Sequence, residues 1–360
     1  VFIDPVTTGY SRPLEDQNPK QFHGLDEDIR AVGEFIRLYT TRNNRWLSEK
    51  YLCGESYGTT RAGGLANYLQ DQYGMYLNGI VLVSPVLDFS TLRWATNNDK
   101  PFPLYFPTYA ATAWKHKALK EPWQSRSLEG VIAAAEAFAS GPYLHALERG
   151  DRMSTDDQRA IAEQYAALTG LDVEFVLDHD LKVSQPAFCK ELLRDRGVTV
   201  GRLDSRYTGI DRTDAGDSTS YDPSYSVILG PYSAAVNHYL SAELGFTAEK
   251  ARDRAYEILT GKVHPWDLGA TNSYATVAES LRQAMTENPP LRVLARNGYY
   301  DLATPHYASD YTFAQMHLDP TLRGNITVER YPSGHMMYVR MDDLIKLTKD
   351  AAAFYQKQTE

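Results

Sequence analysis

Gly54-Glu55-Ser56-Tyr57-Gly58 is the stretch of this sequence best suited to chemistry. It fits Gly-x-Ser-x-Gly, in which a serine sits on a sharp turn between a strand and a helix with its hydroxyl exposed. Small residues flank such a serine because its backbone is strained and neighbouring chains come close. The context fits: apolar Tyr51-Leu52-Cys53 precedes it and helix-like Thr60 to Gln72 follows. The competing reading of these five residues is a glycine turn that happens to hold a serine. A serine hydroxyl is a poor nucleophile at neutral pH, so it needs a base, and the base needs an orienting carboxylate. In folds built on this elbow the acid and then the histidine follow the serine along the chain. Leu294 to Asp301 runs from strand into loop and delivers Asp301; Val328 to His335 does the same for His335. His23, His116, His145, His179, His264, His306 and His317 have no serine-directed context. No histidine pair has the spacing of a zinc motif, so a metal enzyme is not expected and the chemistry calls for no cofactor.

These residues need a scaffold that brings three distant points together. Leu25, Ile29, Val32, Phe35, Ile36 and Tyr39 recur at helical spacing, after Asp26, Glu27 and Asp28 in a first turn. Gly79 to Pro85 is a continuous apolar run of the kind a parallel sheet buries on both faces. Strand patterns return at Leu291–Ala295 and Asn325–Glu329, and the chain closes on a helix with Leu344, Leu347, Ala351 and Phe354 on one face. Strands alternating with helices predict a mostly parallel, doubly wound sheet, here an α/β-hydrolase fold with a largely helical cap insertion. Residues 1–97 form the first part of the core, 98–264 the cap and 265–360 the second part. Helical patterns at Arg159–Leu168 and Pro186–Arg196 lie in the cap. Asp211 to Asp222 reads as a solvated turn, because its acids lack the alternating spacing of a calcium loop. Val1 to Pro5 reads as a buried strand running into a loop. A chain seldom opens inside a buried strand, so residues upstream of Val1 are expected.

The totals agree with a folded protein. A length of 360 residues predicts one large domain with an insertion, or two domains. Hydrophobic residues at 43% and charged residues at 23% are ordinary for a globular chain. The net charge of −9 opposes nucleic acid and anionic membrane surfaces as partners. The longest apolar stretch, Ile80 to Leu87, is too short to cross a bilayer. Two cysteines, Cys53 and Cys189, exclude a disulfide framework, and Cys53, inside an apolar run, reads as a buried, inert thiol.

Several blocks together resemble the serine carboxypeptidases, and the bacterial members most. They are Val1 to Val6, Gly9-Tyr10-Ser11, Gly54 to Arg61, Asn297-Gly298 with Asp301, and Gly334-His335-Met336. The resemblance covers the core at both ends of the chain. It implies a peptidase that releases one residue from the carboxyl end of a peptide: Ser56 attacks, His335 moves the proton, and Asp301 fixes the imidazole. It implies one oxyanion donor from the Tyr57 backbone N–H. The family's second donor comes from an Asn-Gly-Gly-Pro-Gly loop that this sequence lacks. An upstream segment, or another chain, is expected to complete the core. By the same resemblance Glu55, when protonated, donates a hydrogen bond to the substrate's terminal carboxylate, which favours action in acid. The alternative is that Glu55 is only the variable residue of the elbow. Met336 lines the leaving-residue pocket by resemblance. Two positions depart from the family: Thr7 stands where glycine is usual, and Met337-Tyr338 follow Met336 where many members have Val-Pro. A secreted or periplasmic location goes with acidic action. An esterase or acyltransferase on the same triad, and a hydrolase-like binding protein without activity, remain open.

Overall fold

The structure is a computed structural model and describes residues 1–246, 256 and 266–356. In chain order the elements are α1 (Leu25–Arg42), β1 (Tyr51–Glu55), α2 (Tyr57–Tyr73), β2 (Gly79–Val83), α3 (Pro101–Lys115), α4 (Leu128–Phe138), α5 (Leu144–Arg149), α6 (Thr155–Thr169), α7 (Val173–Asp178), α8 (Gln185–Glu191), β3 (Thr199–Val200), β4 (Thr208–Gly209), α9 (Pro223–His238), α10 (Ala278–Glu287), β5 (Arg292–Gly298), α11 (His306–Gln315), β6 (Ile326–Tyr331) and α12 (Met341–Gln356). The main sheet has the order β1-β2-β5-β6, parallel throughout.

Each central strand is buried on both faces because its side chains alternate between two helical layers. Ile80 and Leu82 of β2 pack with Ile29, Leu65, Leu69, Leu281 and Met285, beneath α1, α2 and α10. Val81 and Val83 point the other way and pack with Leu294, Tyr331 and Phe354, beneath α12. This is an α/β-hydrolase fold: one parallel sheet, helices on both faces, and the candidate serine, acid and histidine on loops after β1, β5 and β6. In register, Glu55 lies beside Val83 and Val83 beside Arg296. The strands therefore end level, and the loops after them meet along one edge of the sheet. That edge is where open α/β sheets bind ligands.

Between β2 and α10 the described residues are mostly helical. Phe106, Tyr109, Tyr143, Tyr165 and Phe188 fill a second core, and Leu302, next to Asp301, is part of it. The helical insertion is thus welded to the loop that carries the acid. Its predicted end at residue 264, together with His264, lies outside the described residues.

Three expectations are corrected. Val1 to Pro5 forms no strand: Phe2 is fully exposed, and Thr8 N–H donates to Pro5 O while Thr7 N–H donates to Ser11 O. Those bonds close a turn from Pro5 to Ser11, and among the described residues no strand pairs with Val1 to Asp4. The turn places Thr7 at φ 74°, a left-handed conformation that explains why glycine suits the position. Cys53 is exposed, because β1 is the edge strand and α12 packs mainly over its neighbours. Cys189 is the buried thiol. Finally, Asp211 is not merely solvated. Its carboxylate accepts from Lys190 Nζ at 2.6 Å, with only 5% and 3% of the two side chains exposed. This buried pair staples the 211–222 loop to α8.

Candidate active site

Ser56 stands between the last residue of β1 and the first of α2. Its φ of 55° and ψ of −124° are sterically costly for a side-chain-bearing residue, by about 1–3 kcal/mol. The strain is held by three bonds: Ser56 N–H donates to Val83 O at 2.9 Å, and Thr59 N–H and Oγ1 donate to Ser56 O at 2.9 and 2.6 Å. The turn is tight enough that a Cβ on Gly54 would lie 2.0 Å from Gly58 O. Gly58 itself has open space, so the expected crowding explains the first glycine of the motif and not the second. Among the described residues Ser56 Oγ makes no hydrogen bond, and neither does the Tyr57 backbone N–H at the start of α2. An N–H there carries the positive end of the helix dipole.

Asp301 and His335 do meet. His335 Nδ1–H donates to Asp301 Oδ2 at 2.8 Å, with the carboxylate fully buried and the histidine 5% exposed. Asp301 is held from three further directions: Ala303 and Thr304 N–H donate to Oδ1 at 2.7 and 3.0 Å, and the Thr304 hydroxyl lies 2.8 Å from Oδ2. Fixing Nδ1 as a donor leaves the Nε2 lone pair as the open acceptor of the ring. Burial pulls the His335 pKa down, but the charge and hydrogen bond of Asp301, aided by Glu55, outweigh it and leave the imidazole a stronger base than usual.

The histidine loop is clamped on both sides. Ser84, just past β2, donates from Oγ to His335 O at 2.7 Å, while His335 N–H donates to Leu203 O, also at 2.7 Å. Leu203 belongs to a cap segment that also holds the acid loop: Leu302 N–H donates to Arg202 O, and Ser205 N–H donates to Tyr300 O, both at 3.0 Å. Arg206 pairs with Asp204 and donates to Pro332 O. The approach is close enough that a Cβ on Gly334 would lie 2.5 Å from Asp204 and 2.6 Å from Leu203 O. A Cβ on Gly298 would lie 2.3 Å from Gly334 O. The glycines of Asn297-Gly298 and Gly334-His335 thus let the two loops touch.

Glu55 is largely buried beside this group. Burial raises its pKa above the usual carboxyl range, although the His335 charge and the Tyr338 hydrogen bond pull the other way. The Tyr338 hydroxyl lies 3.0 Å from each Glu55 oxygen. Met336 is half-buried immediately after His335. Ser56, Tyr57, Glu55, Asp301, His335 and Met336, named from sequence, lie at or just after the ends of β1, β5 and β6 along one edge of the sheet; Asp301 and His335 are joined by a hydrogen bond, and Ser56 and His335 are not. Sequence reading missed Thr304, Ser84, Tyr338 and the Arg202–Arg206 clamp. Of these only Tyr338 left a trace, as a departure from the family pattern.

A cavity of about 640 Å³ lined by Ile3, Phe35 and Phe246 does not touch Ser56, Asp301 or His335, so the site is assigned on chemistry, not concavity. Among the described residues no group of three His, Cys, Asp or Glu side chains could hold a metal ion.

No protein-family model matches the chain, and no curated protein matches it. Among solved structures it is similar to Kex1Δp, a prohormone-processing carboxypeptidase from Saccharomyces cerevisiae, at 14% identity and a TM-score of 0.44, over 87% of this chain and 58% of that one. It is also similar to VinJ, at 13% identity and a TM-score of 0.30, over 90% of this chain and 71% of that one. This chain therefore spans a little over half the length of that carboxypeptidase. Likenesses this remote carry no argument about activity.

Proposed function

We propose that this protein is a serine hydrolase that acts as a carboxypeptidase. The support for the proposal is a strained Ser56 at a strand-to-helix turn and a buried Asp301–His335 pair on loops that leave the same edge of one sheet. Ser56 Oγ would attack the last peptide carbonyl and pass its proton to His335 Nε2. The oxyanion that forms would take the Tyr57 N–H. His335 would return the proton to the leaving amino acid, and water would release the acyl group by the same steps in reverse. Asp301 would hold the imidazole and offset its charge.

Carboxypeptidase action is supported by Glu55. A carboxyl group that burial keeps protonated to higher pH than usual can donate a hydrogen bond to a terminal carboxylate. Such an enzyme would take peptides with a free carboxyl end and would prefer them to their amides most strongly in acid. Action outside the cytoplasm, in a secretory or periplasmic compartment, goes with that reading. Among the described residues no helix is long and apolar enough to cross a membrane.

A second reading has its own support. Tyr338 reaches both Glu55 oxygens, which suits a Glu55 that accepts and does not donate. In that state the site would repel carboxylates and favour neutral acyl groups, as an esterase or acyltransferase does. A fluorophosphonate probe tests what the two readings share. Covalent labelling on Ser56, slowed at least about 10³-fold in Asp301→Asn, is expected. A protein that folds and does not label would be a binding module instead.

A further inference from the structure

A substrate that ends in a carboxylate brings a negative charge to a site that already holds the buried Asp301 carboxylate. A cation would offset that repulsion and add to the hydrogen bond from a protonated Glu55. The arginines near the site are mostly committed. Arg61 makes a two-point contact with Asp28, Arg206 with Asp204, Arg330 reaches Asp310, and Arg340 reaches Asp342 and Asp343. Arg296 is buried and donates to Leu347 O.

Arg202 differs from all of these. Its side chain is exposed and makes no hydrogen bond or ion pair among the described residues. Yet its backbone is fixed at both ends. Arg202 N–H donates to Asp222 Oδ1 at 3.1 Å, and Arg202 O accepts from Leu302 N–H, one residue past the acid. The next carbonyl, Leu203 O, accepts from His335 N–H. The guanidinium therefore springs from a point tied to both triad loops. A pinned backbone with a free guanidinium is a preorganised anion receptor, because binding has little backbone order left to impose.

We propose that Arg202 is a specificity-determining residue, the cationic anchor for the substrate's terminal carboxylate. The proposal deepens the carboxypeptidase reading and rests on it for the identity of the ligand. It gives the cap a direct part in binding, since Arg202 lies in the insertion. It also removes the need for Glu55 to do the recognition alone.

Binding without turnover separates this inference from the reading it rests on. In Ser56→Ala, calorimetric titration should show an N-blocked dipeptide acid binding more tightly than its C-terminal amide. Adding Arg202→Ala should weaken the acid about 10- to 100-fold and leave the amide unchanged. Arg202→Lys should recover part of the loss, as a point charge without the planar fork does. Loss of acid and amide binding together would mean a disturbed loop, and would overturn the assignment unless the lysine variant restores the acid alone. Unchanged acid affinity, or no preference of Ser56→Ala for the acid, would also overturn it. If serine-dependent peptide cleavage is seen while Arg202→Ala keeps its acid preference, the inference fails and the carboxypeptidase reading stands. If Arg202-dependent acid binding is seen in a protein that cleaves no peptide, the reading fails and the anchor stands.

Discussion

At the scale of single residues, the site is two ionisable groups tuned against each other beside a strained serine. Ionised Glu55 raises the His335 pKa, and protonated His335 lowers that of Glu55. Each therefore biases the titration of the other. Removing the Glu55 charge in Glu55→Gln withdraws one of the influences that raise His335. The sign follows: the imidazole becomes a weaker base and loses its proton at lower pH. The acid limb of the pH–kcat/KM profile for a neutral ester should move to lower pH in this variant. An unmoved limb would mean that Glu55 and His335 do not feel each other. Ser56, Asp301 and His335 could be read from sequence because each sits at a fixed place after a strand or in a turn motif. Thr304 could not, because a threonine that braces an acid three residues back carries no mark of that duty. Tyr338 and Arg202 were unreadable for a related reason. Their partners, Glu55 and the two triad loops, lie far away in sequence.

At the scale of elements, the loops after β5 and β6 hold their shape only because the cap segment lies against them. Gly334 is the tightest point. A methyl group there meets Asp204 and the Leu203 carbonyl at distances no Cβ tolerates, and that carbonyl is the one His335 N–H uses. Gly334→Ala should therefore lower kcat/KM by about 10²-fold or more through a shift of the imidazole of about 1 Å, with the fold retained by circular dichroism. A fully active Gly334→Ala enzyme would show that the clamp does not position the histidine. The strands and helices that form this frame were legible. The runs Gly79–Pro85 and Leu291–Ala295 read as buried strands and are found as β2 and β5, and α1, α2 and α12 follow from their helical patterns. The failures came where the partner decides the outcome. Val1 to Pro5 has a strand's composition, yet among the described residues no strand lies beside it to pair with. Cys53 has apolar neighbours, yet it sits on an edge strand that α12 leaves partly uncovered. The acids of the 211–222 loop gave no hint that Asp211 would find Lys190, because ion pairs across 21 residues have no local pattern.

At the scale of the whole molecule, function draws on stability. Glu55 is buried where its charged form is poorly solvated, so its folded pKa lies above the ordinary carboxyl value. A group of that kind lends stability at low pH and withdraws it as pH rises through the raised value. His335, also raised, works in the same direction: its contribution is full below an imidazole's ordinary pKa and is lost as pH climbs past the folded one. The melting temperature should thus decline from about pH 5 to about pH 8 through these two groups, and Glu55→Gln should flatten part of the decline. An equal slope in the variant would show that Glu55 ionises as freely in the folded state as in the unfolded one.

The central claim is that Ser56 opens peptide bonds at a free carboxyl end, and hydrolysis of an N-blocked dipeptide and its C-terminal amide from pH 4 to pH 8, beside Ser56→Ala, tests it most directly. The account predicts cleavage of the acid over the amide, with a preference that grows as pH falls through Glu55, and no cleavage by the variant. Cleavage of neither, by a protein whose serine still takes the fluorophosphonate, would contradict it and leave an esterase or acyltransferase on the same three residues.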